Sequence, residues 1–179
     1  KEMKMRTCIS AGLLGLCLLL LAGCKGGSGK EEKQPEVEEI LKAVQEAYGE
    51  NYLPDTDLDE TALSQMMGMD LDSVESFAGQ MPMIGAHPDR VIIAKAKEGR
   101  GDDLEAELTK MRTALVEDTL VYPMNIAKVQ ASQVVRHGDY VALLLVGAVD
   151  ERLDISEEEA LAFAEEETQK AVDAFEGCF

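Results

Sequence analysis

Tyr140-Val141-Ala142-Leu143-Leu144-Leu145-Val146 is the stretch that decides the fold. It has no polar position on either face, so it reads as a strand buried on both sides in the middle of a sheet. Val91-Ile92-Ile93-Ala94-Lys95-Ala96-Lys97 is apolar on both faces at its start and predicts a second central strand. Between them Leu104, Leu108, Met111 and Leu115 recur at helical spacing. Asp102 is placed to cap that helix, with Glu105 three residues on. In the simplest arrangement a helix crossing between 91–97 and 140–146 leaves the two strands side by side and antiparallel.

Working outward, 132–136 and 139–146 read as a hairpin around the two-residue turn His137-Gly138. Ser156 with Glu159 makes a capping box that opens a last helix running to about Glu176. Its inward residues are Leu161, Ala164, Ala171, Val172 and Phe175; Glu158, Glu165, Glu166 and Asp173 make a solvated face. Upstream, Pro35 starts a helix whose apolar face is Val37, Ile40, Leu41, Val44 and Tyr48, with Gly49 ending it. A loop, a short helix from about Asp59 to Met67 and a poorly alternating strand over 74–81 follow. Pro123 opens another short helix. The order α-α-β-β-α-β-β-α predicts an α+β domain, an antiparallel sheet of about four strands with helices packed on it.

Several of these segments also carry a family resemblance. Met81-Pro82-Met83, His87, the strand from Val91 into Lys95-Ala96-Lys97, Tyr122-Pro123, Val129, Ala131 and Gly138-Asp139-Tyr140-Val141 resemble a family of small bacterial lipoproteins, domain of unknown function 4358. The resemblance covers roughly residues 36 to 150. It implies a lipoprotein at the cell surface and carries over no catalytic residue.

The N-terminal segment points the same way. Lys1, Lys4 and Arg6 stand against Glu2, and no charge occurs from Cys8 to Ala22. A basic flank, a short apolar core and small exit residues are the parts of a signal peptide. Leu21-Ala22-Gly23-Cys24 resembles the lipobox of bacterial lipoproteins, which implies cleavage between Gly23 and Cys24 and a lipid on Cys24. A transmembrane span needs roughly 20 apolar residues; this run is shorter, and Lys25 closes it. Residues 1–23 are thus expected to be a signal, 24–34 a flexible Gly/Ser/charge tether, and 35–179 a single domain. The expected place is the extracytoplasmic face of the cell membrane, held through the lipid on Cys24, with another envelope protein as a candidate partner.

Composition narrows the function. Acidic residues number 35 and basic ones 17, a net charge of −18. Losing residues 1–23 makes it −20. Such a surface repels nucleic acid and anionic head groups. Aromatics are 4% and tryptophan is absent, so stacking platforms for bases or sugars are not expected. Cys8 and Cys17 leave with the signal and Cys24 is acylated. Cys178 is then the one remaining thiol, and no internal disulfide can form.

Candidate chemistry is sparse. Asp55, Asp57 and Asp59 have the spacing that opens a calcium loop. Glu60 stands where that loop needs glycine, and Met66 where it needs a bidentate glutamate. Helix-entry acids explain the three aspartates as well. Met66, Met67, Met69, Met81 and Met83 could hold copper(I) or fill gaps in an aromatic-poor core. His87, beside Pro88 and Asp89, is a candidate ligand or general base, or a loop residue with a local hydrogen bond. Arg100-Gly101-Asp102 reads as a turn entering a helix. There is no nucleophile-elbow or phosphate-loop motif. The sequence implies no cofactor. It predicts a non-enzymatic interaction or binding module, with a metal- or small-ligand-binding lipoprotein or an unrecognised enzyme as alternatives.

Overall fold

The computed structural model describes residues 34–84, 87–152 and 154–179. The predicted signal, Gly23, Cys24 and the tether up to residue 33 lie outside them. In chain order the elements are helix α1 (Val37–Tyr48), strands β1 (Thr56–Asp57), β2 (Val74–Met81) and β3 (Arg90–Ala96), helices α2 (Gly101–Glu117) and α3 (Ile126–Gln130), strands β4 (Gln133–His137) and β5 (Tyr140–Leu145), and helix α4 (Glu157–Glu176). One wide π turn, Ala62–Met66, stands where the short second helix was expected.

The strands form one antiparallel sheet in the order β1-β2-β3-β5-β4. The two apolar stretches do lie at its centre, in register from Arg90 against Leu145 to Lys95 against Tyr140. Successive side chains on a strand face opposite ways, so the central strands feed two cores. Val91, Ile93, Ala142 and Leu144 pack with Ile40, Val44 and Phe175 of α1 and α4. Ile92, Ala94, Val141 and Leu143 pack with Leu104, Leu108 and Met111 of α2. Helices therefore cover both faces, which is why β5 needs no polar position. A domain with its own core can fold alone, and both cores lie within residues 34–179.

Three local details differ from expectation. The antiparallel sheet of about four strands gains a short fifth at its edge, because Thr56 and Asp57 pair with Met81 and Gln80. Nothing in a two-residue polar segment signals a strand. Its place is set by Leu58, whose N–H donates to the Gly79 carbonyl at 2.8 Å. A Cβ on Gly79 would stand 3.1 Å from the Leu58 side chain. Asp102 does not cap α2: the helix begins at Gly101, and Asp102 and Glu105 instead take the Arg136 guanidinium from β4, at 2.5 and 3.0 Å. The hairpin turn is Gly138-Asp139, one residue later than expected. His137 pairs with Tyr140, and Gly138 takes the positive φ of +58° that such a turn favours.

The two ends of the sheet differ. At the hairpin end the Tyr140 hydroxyl donates to the Pro35 carbonyl at 2.8 Å, so the domain's first residues sit there. At the other end lie the entry to β3 and the exit from β5, where Arg90 faces Leu145.

Candidate functional site

Three segments converge at the end of the sheet away from Pro35. His87-Pro88-Asp89 leads into β3, Pro123–Lys128 leads into and along α3, and the chain after β5 runs through Gly147 to α4. They enclose a cleft of about 640 Å³ whose lining includes His87, Met124, Lys128, Val149, Phe163 and Ala164. That volume falls within the range of small-molecule sites, roughly 300–1,000 Å³. A second depression of about 310 Å³ adjoins it, lined by Arg90, Asp118, Leu120 and Tyr122; His87 and Asn125 belong to both. Leu120, Tyr122 and Met124 are exposed around them, as are Met83 and Ile84 shortly before His87.

The far wall is fixed by one glycine and one glutamate. Gly147 has φ +132°, and a Cβ there would stand 2.8 Å from Glu167 Cβ. That close approach lets the Ala148 N–H donate to Glu167 Oε2 at 3.0 Å. Burial pushes the Glu167 carboxyl up, but this hydrogen bond and the Lys170 ammonium outweigh it and hold it below its ordinary range.

Beneath the cleft lies a buried charge pair. Asp89 is fully buried and Lys128 nearly so, and the Lys128 ammonium contacts the Asp89 carboxylate. Beyond this ion pair, neither Asp89 oxygen nor Lys128 Nζ has a hydrogen-bond partner among the described residues. Burial pushes the Asp89 carboxyl up and the Lys128 ammonium down, each opposed by the other's charge. His87 Nδ1 stands 3.4 Å from Asp89 Oδ1 and accepts from the Asp89 N–H at 3.4 Å. Tyr48 donates to the Glu167 carbonyl at 2.6 Å. Tyr52 Oη and Thr168 Oγ1 are buried without a partner. Burial pushes both the Tyr48 and Tyr52 phenols up, with the Asp89 charge adding to it. Asp89 thus lies beneath the cleft, with the nearly buried Lys128 between it and the lining.

The candidates read from the sequence fare differently. His87 lines both depressions. Asp55, Asp57 and Asp59 do not converge on one point. Asp55 Oδ1 accepts from the Met83 N–H at 2.8 Å, Asp57 Oδ1 from Gln80 Nε2 at 2.7 Å, and Asp59 Oδ1 from the Ala62 N–H at 2.7 Å. Among the described residues no group of three or more His, Cys, Asp or Glu is arranged to hold a metal ion. The methionines divide: Met69 and Met111 are buried beside α2, Met66 and Met83 are exposed. His137 stacks on Phe179 with ring centroids 4.1 Å apart. Cys178 donates to the Ala174 carbonyl at 3.2 Å, and burial pushes its thiol up. Cys24 and Gly23 lie outside the described residues. Nothing in the sequence singles out Lys128, and Asp89 stands there only as a neighbour of His87. A lone lysine between Ala127 and Val129 gives no sign that its charge is buried.

The fold and the cleft define an α+β domain with helices on both faces of an antiparallel sheet. The family model described as "Domain of unknown function (DUF4358)" matches residues 47–146. The chain belongs to that family. The matched segment holds β1 to β5, including Asp89 and Lys128, but not α4, which supplies one wall of the cleft. No curated protein and no solved structure matches the chain.

Proposed function

We propose that the chain is an extracytoplasmic, membrane-anchored lipoprotein whose domain works as a non-enzymatic binding module, with the cleft as its binding surface. The observation that carries this reading is the position of the cleft. It opens at the end of the sheet remote from Pro35, and so away from the point where a tether from Cys24 would join the domain. No helix of the described residues is long and apolar enough to cross a membrane. The full burial of Asp89 and its pairing with Lys128 favour binding over acid–base chemistry by that carboxylate, because a general base must reach the proton it takes.

Two measurements test the reading. Cys24→Ser should move the protein from the membrane to the soluble fraction; unchanged membrane retention would refute the anchor. Residues 24–179 carrying that substitution should gain thermal stability with a ligand that fills the cleft. At about 100 times its dissociation constant a ligand adds roughly 2.7 kcal/mol. Stabilisation that survives filling the cleft with Ala160→Leu would refute the cleft as the site.

A further inference from the structure

We propose that the occupant of this cleft is a basic peptide segment anchored by an apolar side chain. The inference rests on the reading of the cleft as a binding surface and specifies the ligand.

The charge around the cleft is one-sided. Asp150, Glu151, Arg152 and Ile155 line one wall, and the sequence from there into α4 carries Asp150, Glu151, Asp154, Glu157, Glu158 and Glu159 against the single base Arg152. Arg152 is clasped by both oxygens of Asp150. Glu159 is used in the capping box, where its carboxylate accepts from the Ser156 N–H at 2.9 Å. Glu151, Asp154, Glu157 and Glu158 are exposed and make no ion pair among the described residues. The two cations of the lining, Lys128 and Arg152, are each answered by an aspartate. An anionic ligand would find no free positive charge on that lining. A cationic one meets the free carboxylate of Glu151 on the lining beside Val149, Ile155, Ala160, Phe163 and Ala164, with exposed Asp154, Glu157 and Glu158 following in the chain.

The same charge rejects the other occupants. Residues 34–179 carry 32 acidic and 11 basic side chains, a net of −21. A second copy, a nucleic acid or an anionic bilayer would each bring like charge to this surface. A neutral sugar would find Phe163 as the one aromatic side chain of the cleft. An extended peptide suits the shape. The adjoining depression past His87 and Asn125 extends the cleft, with exposed Leu120 and Tyr122 beside Arg90 and Asp118.

The test uses residues 24–179 with Cys24→Ser, and fluorescein-labelled ten-residue peptides read by anisotropy. One probe alternates lysine with leucine, one glutamate with leucine, and one lysine with serine. The lysine–leucine peptide should bind most tightly, and its affinity should fall severalfold as salt rises from about 50 to about 200 mM. Glu151→Gln, Asp154→Asn, Glu157→Gln and Glu158→Gln combined should weaken it by about tenfold or more. Ala160→Leu, which fills the cleft while leaving the charges, should weaken it as well. Equal binding of the lysine–serine peptide, or no loss in either variant, would mean diffuse attraction to an acidic protein and overturn the proposal. Preferred binding of the glutamate–leucine peptide, lost in Ala160→Leu, would overturn the basic occupant and leave the binding cleft standing. If none of the three peptides binds, the basic-peptide inference fails, while a cleft ligand found by thermal shift would still uphold the broader reading.

Discussion

Removing one half of the Asp89–Lys128 pair should cost far more than removing both. Asp89 is fully buried and Lys128 2% exposed, so Asp89→Asn strands an ammonium away from water. Breaking a buried pair this way costs about 3–5 kcal/mol, whereas replacing both partners by neutral groups is often close to neutral. In a domain of this size each kcal/mol moves Tm by roughly 2–4 °C, so the single variant should melt about 6–20 °C lower. Lys128→Met should cost a comparable amount, and Asp89→Asn with Lys128→Met should recover most of the loss. The pH dependence carries a sign. Burial already pulls the Lys128 ammonium below its ordinary 10.5, and loss of Asp89 removes the charge that opposes this. The unfolded chain then binds the proton more tightly than the folded one. The cost is fully present below the folded pKa and is relieved as pH rises toward the unfolded value. The assay is urea unfolding of wild type, both single variants and the double variant at pH 7 and pH 9.5. Single-variant losses that simply add in the double variant would refute the coupling. A pH-independent loss in Asp89→Asn would refute the stranded ammonium.

Three further outcomes are expected. Gly147→Ala places a Cβ 2.8 Å from Glu167 at a φ of +132°; it should cost about 1–3 kcal/mol and speed hydrogen exchange of the Ala148 amide. Tyr52→Phe deletes a buried hydroxyl without a partner, so thermal melts should find stability unchanged or raised; a loss of about 1 kcal/mol or more would mean the hydroxyl is hydrogen-bonded in solution. Ser156→Ala should cost about 1 kcal/mol at neutral pH. The Ser156 hydrogen bonds hold the Glu159 carboxyl below its ordinary 4.5, so that part of the stability is present above this value and is lost as pH falls through the depressed one. The gap between wild type and Ser156→Ala should therefore narrow in acid, and a gap that widened there would count against the reciprocal cap.

The central strands, the stripes of α1 and α2 and the start of α4 were legible because each states its environment in one run of residues. An all-apolar strand between two helix stripes admits few arrangements, and Ser156 with Glu159 is a local capping device. Where the outcome depended on a distant partner, the sequence was silent. Asp102 looked like a cap until Arg136 arrived from β4, and Thr56-Asp57 became a strand through β2. The cleft belongs to this second class. His87, Lys128 and Phe163 lie on three separate segments, and their meeting is a property of the topology. Asp89 and Lys128 are ordinary charged residues in the sequence, and only the fold takes water away from them.

The alternation along β3 and β5 has a consequence for how damage is shared. Val91 and Ile92 are bonded neighbours, yet one packs with Phe175 and the other with Leu108, so the sheet acts as a partition between two compartments. Energetic coupling is strongest between side chains that touch or share a cavity. A lesion such as Phe175→Ala should therefore interact with Ile93→Val, on its own side, and combine almost independently with Leu108→Ala across the wall. Tolerance to substitution in this domain would then be counted compartment by compartment. A chain already weakened on the α1–α4 side should keep the full tolerance of its α2 side until total stability runs out.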